Sequence, residues 1–186
     1  MNSTTSVQVP LTHEPHFSQE VGRMALELGE MSVDVLSKEL HCNEKIALEN
    51  KLRYQDFFNR EALLPALLAY YGQAYKCLKA QQYNPGDFRF ADDHLWITSF
   101  LYGLLRPLDL IHPYRLEGKA KLPSAEGKNM FAYWKPHLTD ILIEAVKADD
   151  GILVHLATEE FQHLFDWKRL QKEVRIIQPL FMVDQG

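Results

Sequence analysis

Residues 99–118 read SFLYGLLRPLDLIHPYRLEG. Leucine and isoleucine fill this run as they fill a buried segment, while Pro107 and Pro113 forbid one long helix. The residues leading into it, WITSFLYGLL over 96–105, are rich in β-branched and aromatic side chains, which predicts a buried strand ending at Arg106-Pro107. Against that apolar background stand Tyr102, Arg106, Tyr114 and Arg115. A guanidinium is costly to bury unpaired, so each arginine needs a carboxylate, carbonyls or a bound anion. Two arrangements meet that need. Either Asp109 and Glu117 pair with the arginines and shape the turn between the prolines, or the arginines face a cleft and grip phosphate in bidentate fashion. Tyr102 and Tyr114 suit both, as hydrogen-bond partners or as flat walls.

Upstream of this run, residues 1–16 are polar, proline-containing and without period, which predicts a loose lead-in. Phe17, Val21, Met24, Ala25 and Leu28 recur at helical spacing, with Gly29 as a stop. Ser32 and Asn43 are N-cap residues for two further helices joined by the short link at residues 41–42. Together residues 32–57 predict a helical hairpin. PALLAYYG, residues 65–72, is fenced by Pro65 and Gly72 at strand length and is read as a strand, followed by a helix over 73–80. Asn84 with Pro85 behind it starts another helix. Downstream, residues 130–148 form an amphipathic helix despite Pro136. ILVHLA is a short strand, residues 158–173 hold one or two helices, and residues 174–183 form a last strand. Interleaved elements of this kind predict an α/β fold, a mixed sheet with helices on both faces plus the N-terminal helical hairpin. The expected layout is a single domain over 1–186, with its α/β core over 65–183.

Hydrophobic residues make up 46% and charged residues 24% of 186, which suits a folded domain with a real core. No apolar run reaches the roughly 20 residues that span a bilayer. Two cysteines without metal-type spacing and no secretory leader predict a reduced, cytoplasmic setting. The net charge of −5 excludes a uniformly basic surface. Residues 101–135 nevertheless carry six Lys/Arg against three Asp/Glu, a basic island in an acidic chain.

The opening run, together with LRYQDF, PALLAYYGQAYKCL, DFRFADDHLWITS and VHLATEEF in that order, resembles the YaaA-type peroxide-stress family, formerly a domain of unknown function. The likeness covers about Val7 to Val183, and its Tyr-Gly-Leu-Leu-Arg-Pro-Leu-Asp core is highly specific. The resemblance implies a cytoplasmic bacterial protein of hydrogen-peroxide resistance that acts by limiting free iron. It further implies binding of double-stranded or branched DNA through a helix-hairpin-helix-like element and a positive cleft. Residues 32–57 match that element in position. Their link lacks the usual glycines, and Asn43 is its one residue that easily adopts positive φ. Members of the family open with an apolar strand and a Ser-Pro-Ala-Lys-like segment, and they close with a second strand and a basic helix. Neither piece is found here, so the chain is expected to be truncated at the C-terminus and at the N-terminus. The end at Asp184-Gln185-Gly186, turn chemistry directly after a strand, carries the same expectation.

The candidate anion-binding set is therefore Arg106, Arg115, Tyr102 and Tyr114, extended by Lys119, Lys121 and Lys128 in the following loop and by Lys45, Lys51 and Arg53 on the second helix of the hairpin. The loop lysines are either a solvated face or a phosphate-contacting strip. Lys45, Lys51 and Arg53 are balanced by Glu44, Glu49 and Asp56. Glu160 and His163 have the Glu-x-x-His spacing of carboxylate-bridged iron proteins, but such sites need two motifs and two further carboxylates. His155 reads as a satisfied core residue, and no metal or cofactor is expected. Cys42 and Cys77 are quiet thiols or, if exposed with a lowered pKa, redox sensors. No P-loop, dinucleotide fingerprint, nucleophile elbow or zinc-protease helix is present. The expectation is a monomeric, non-enzymatic, DNA-associated protein that does not enter membranes. The alternative is a pocket in which Arg106 and Arg115 hold a small anionic metabolite.

Overall fold

A computed structural model describes residues 1–180. The chain falls into two compact units, Met1–Met130 and Phe131–Gly186, with helices and strands mixed in both.

The first unit opens with the lead-in, which forms no regular element yet is not loose. The Asn2 N–H donates to the Ala69 carbonyl at 2.8 Å, and His13 exchanges backbone hydrogen bonds with Leu108 and Leu110. Val7 and Val9 pack against a core of Leu67, Leu68, Phe88 and Leu108. Helix α1 (Ser18–Glu30) buries Val21, Met24, Ala25 and Leu28, the stripe its spacing predicts. Gly29 does not stop it. A Cβ there would lie 3.4 Å from the Tyr54 carbonyl carbon, so the glycine permits close approach of another helix. Helices α2 (Val33–Glu39) and α3 (Glu44–Gln55) carry the expected caps. Ser32 Oγ accepts from the Val35 N–H, and Asn43 Oδ1 from the Ile46 N–H. In the link between them it is His41, at φ 46°, that turns left-handed. Asn43 stays extended at φ −73°, because a capping residue has to keep its side chain over the first turn.

The expected strand over 65–72 is absent. Strand β1 (Leu64–Pro65) is two residues long, and Pro65, lacking an N–H, closes it. Helix α4 (Ala66–Ala69) follows as one fully buried turn, Ala and Leu taking the helical alternative to the strand. Helix α5 (Gln73–Leu78) comes next. Helix α6 (Pro85–His94) starts at a capping box, in which Asn84 Oδ1 accepts from the Gly86 and Asp87 N–H groups while Asp87 Oδ2 accepts from the Asn84 N–H. Replacing Asn84 by alanine should cost about 1 kcal/mol in a urea titration. An unchanged midpoint would show that the Pro85 turn holds α6 without the box.

The predicted single strand over 96–105 is a hairpin. Strands β2 (Ile97–Ser99) and β3 (Gly103–Leu105) pair antiparallel, with Ser99 opposite Gly103. The turn is made by Ser99 Oγ accepting the Tyr102 N–H at 2.8 Å and by Gly103 at φ 73°. Strand β4 (Leu110–Ile111) pairs with β1.

In the second unit, helix α7 (Met130–Ala148) forms as expected, with Pro136 accommodated inside it. Strand β5 (Ile152–Val154) runs parallel to β6 (Arg175–Ile177), and helix α8 (Trp167–Glu173) lies between them in sequence. Among the described residues the strands form three separate two-stranded ladders, not one mixed sheet flanked by helices. Residues 181–183 of the expected last strand, and the terminal turn after it, lie outside the described residues. No helix among the described residues is long and apolar enough to cross a membrane.

Candidate functional site

The Arg106-Pro107-Leu108-Asp109 turn organises the first unit. Pro107 sits at its second position, the Asp109 N–H returns to the Arg106 carbonyl at 3.2 Å, and Asp109 Oδ2 accepts the Arg106 N–H at 2.8 Å. The guanidinium then swings to α6. Arg106 Nη2 donates to Asp92 Oδ2 at 2.6 Å, while Asp92 Oδ1 accepts the Leu108 N–H at 2.9 Å. His13 Nε2 lies 2.8 Å from the same Oδ2, and against an ionised carboxylate that nitrogen carries the proton. Asp92 is thus fully engaged at 3% side-chain exposure, with Arg106 at 37% and His13 at 32%. Beside it, burial pushes the Asp109 carboxyl up to about 6, against the opposing pull of the Arg106 N–H and the His13 charge.

Arg115 belongs to a different place. Its Nη2 pairs with Glu117 Oε1 at 2.6 Å, and its Nε donates to the Leu40 carbonyl at 3.3 Å, at the end of α2. The Tyr54 hydroxyl donates to the Arg115 carbonyl at 2.7 Å, and the Lys121 N–H donates to Glu39 Oε2 at 3.0 Å. These bonds lay the loop 115–121 against the α2–α3 link. Of the two carboxylates offered by the sequence, Glu117 pairs as expected. Asp109 takes a backbone N–H instead, and the Arg106 guanidinium goes to Asp92, 14 residues away.

The remaining candidates divide. Lys45, Lys119 and Lys121 are exposed, and none has an ion pair among the described residues. Lys128 pairs with Glu126 at 2.6 Å. Lys51 Nζ donates to the Met31 carbonyl, and Arg53 pairs with Glu49 on its own helix, so neither is a free cation. Tyr102 and Tyr114 are structural. The Tyr114 hydroxyl joins Tyr70 and Ser99 at 2.7 and 2.6 Å, and the Tyr102 hydroxyl accepts the His112 N–H at 2.9 Å. Burial pushes the phenols of Tyr54, Tyr70, Tyr102 and Tyr114 up, which keeps them neutral.

Glu160 and His163 lie in a 3-10 turn, Glu159–Leu164, whose winding places residues three apart on one face, but no further ligands join the pair among the described residues. No cluster of three or more His, Cys, Asp or Glu suited to a metal occurs among the described residues. His155 is half-buried and not a satisfied core residue, because its Nδ1 has no hydrogen-bond partner. Burial raises the Cys42 thiol, and Cys77 is exposed.

A cavity of about 490 Å³ opens beside the Asp92 cluster and is lined by neither Arg106 nor Arg115. His13 and Glu14 of the lead-in, Gly22 of α1, the Phe57-Phe58 pair, Arg60 and His112 form its wall. Sequence reasoning missed Asp92 and His13 as partners because 79 residues separate them. The one legible signal was Asp92 four residues after Phe88, an acid on the buried face of α6.

Comparison with known proteins gives a consistent result. The family model described as peroxide stress protein YaaA matches residues 1–186. A UPF0246 protein of Phocaeicola vulgatus is 50% identical over 98% of this chain and 72% of its own length. A UPF0246 protein of Bacteroides fragilis is 48% identical over the same shares, and one of Parabacteroides distasonis 40%.

Proposed function

From the premise that this chain belongs to the peroxide stress protein YaaA family, we propose that it serves the peroxide-stress response as a non-catalytic protein that contacts DNA through backbone phosphates. The observation that supports this reading is the docking of loop 115–121 on the α2–α3 link. The Arg115–Leu40 and Lys121–Glu39 bonds hold the loop that carries the exposed Lys119 and Lys121 against the end of α2, next to the α2–α3 link that Asn43 and Lys45 follow. Arg115 adds a guanidinium that is shared with Glu117 and still exposed at 43%. This surface offers charge without a helix rich in Arg and Asn, which suits phosphate contacts and not base reading. The acidic neighbours Glu39, Glu44 and Glu117 limit its strength. The resemblance to a helix-hairpin-helix element belongs to this proposal, as does a link to restricted free iron, whose release in the presence of peroxide damages DNA.

Binding of duplex DNA by the full chain should weaken between 50 and 200 mM salt, a range over which four phosphate contacts, from Lys45, Lys119, Lys121 and Arg115, lose on the order of 10²-fold in affinity. The combined Lys45→Ala, Lys119→Ala and Lys121→Ala variant should bind more weakly on every sequence, with a salt slope reduced by about 3. Salt-indifferent binding, or a variant that binds as well as the parent, overturns the phosphate reading. A short phosphate compound that displaces DNA completely would move the assignment to a pocket for a small anion.

A further inference from the structure

Two neutral hydrogen bonds fix Arg115 in place. The Tyr54 hydroxyl donates to its carbonyl at 2.7 Å, and its own Nε donates to the Leu40 carbonyl at 3.3 Å. Tyr54 is 1% exposed and Leu40 is fully buried, so both anchors sit on packed residues. A guanidinium held at Nε keeps its orientation while its two Nη groups stay open to a further acceptor.

That acceptor is Glu117, two residues further along the same loop. Its Oε1 lies 2.6 Å from Arg115 Nη2, with 43% of the arginine side chain and 30% of the glutamate side chain exposed. Among the described residues the Glu117 carboxylate has no other hydrogen-bond or ion-pair partner. The loop does not depend on this pair, because the Tyr54, Leu40 and Lys121–Glu39 bonds lay it in place without Glu117. A carboxylate offers the fork of an arginine the same paired oxygens that a phosphate does. Two residues away on one loop, it is also present at a high local concentration, so a weak monoanion loses to it. An ion pair this exposed is worth little, and a phosphate with more charge displaces it at small cost.

We propose that Glu117 is a built-in competitor for the Arg115 fork: it occupies the guanidinium in the free protein and gives way when a phosphate arrives. The contact holds back the affinity of the loop 115–121 surface and reserves it for ligands dense in phosphate charge. This inference rests on the phosphate reading of that surface given above.

The test uses the full chain and a short labelled DNA duplex at low salt, followed by fluorescence anisotropy. Glu117→Gln keeps the size of the side chain and removes its charge. It should bind about threefold to fivefold tighter than the parent, the worth of an exposed pair. Glu44, exposed and without an ion pair among the described residues, is the control for losing a negative charge nearby. In an Arg115→Gln background the Glu117→Gln gain should fall to the size of the Glu44→Gln effect, which is itself the same in both backgrounds. Tripolyphosphate is the second probe, followed by the Arg115 Nε–H resonance, which Arg115→Gln deletes. Where the parent binds duplex, that arm decides. An unchanged affinity of Glu117→Gln, or a gain that survives Arg115→Gln at full size, overturns the proposal and leaves the DNA reading standing. Where no protein binds duplex, the DNA reading falls and tripolyphosphate decides. A saturable shift of the resonance, tighter in Glu117→Gln by the same factor, sustains the proposal. No shift, or equal affinity in the two proteins, overturns it.

Discussion

Replacing Asp92 by alanine is expected to destabilise the protein by about 3 kcal/mol, read as a lowered urea midpoint by circular dichroism. The carboxylate is 3% exposed and satisfies three donors from two distant segments: the Arg106 guanidinium and the Leu108 N–H of the proline turn, and His13 of the lead-in. Breaking a fully buried pair costs up to about 5 kcal/mol, but the Arg106 side chain keeps 37% of its surface in water and rehydrates when its partner is removed. The loss therefore falls mainly on the Leu108 N–H, which becomes a buried donor without an acceptor, and on the released lead-in around His13. Asp92→Asn keeps an acceptor for Leu108 and should recover part of the loss. A cost under about 1 kcal/mol for the alanine variant would mean that the apolar packing of Val7, Val9 and Leu108 alone holds this region.

Asp109→Asn has the opposite sign. The Asp109 carboxyl is 4% exposed and titrates at about 6 in the fold, against an ordinary 3.8, because burial penalises its charge more than the Arg106 N–H and nearby cations favour it. With the folded pKa above the unfolded one, the folded state holds the proton more tightly. The contribution of this group is most favourable below about pH 4 and is lost as pH rises through about 6. That difference in proton affinity corresponds to about 3 kcal/mol, which local relaxation reduces to about 2 kcal/mol. Asparagine keeps an oxygen to accept the Arg106 N–H and carries no charge. The variant should therefore be about 2 kcal/mol more stable than the parent at pH 7.5 and equal to it at pH 4. Denaturation at the two pH values checks this. A variant less stable than the parent at pH 7.5 would show that the charge of Asp109 is needed to hold Arg106.

These two neighbouring carboxylates show where sequence reading succeeds and where it stops. Asn84, Ser32 and Asn43 announced their helices because a cap is a local device, complete within four residues. The buried stripe of α1 followed from its period for the same reason. The run 96–105 misled because apolar content does not distinguish one buried strand from two. The informative residue there was Gly103, whose positive φ makes the turn. PALLAYYG misled in the other direction, since Ala and Leu could complete a buried helical turn once Pro65 had closed the ladder. Among the site candidates, the sequence singled out Arg106 and Arg115 as needing partners and named Glu117 correctly, two residues from Arg115. It could not name Asp92, nor foresee that Lys51 and Arg53 would be occupied by Met31 and Glu49.

By itself the amino-acid sequence determined the capped starts of α2, α3 and α6, the buried stripe of α1, the family and the need of each arginine for a partner, because each is set by neighbours along the chain or by a specific string of residues. Only the tertiary structure decided which partner each arginine took, which lysines stayed free and where a cavity opened. His13, Asp92 and Arg106 meet only after the lead-in, α6 and the proline turn have packed together. Their pairing follows from apolar burial, a non-directional force that leaves no local mark in the sequence.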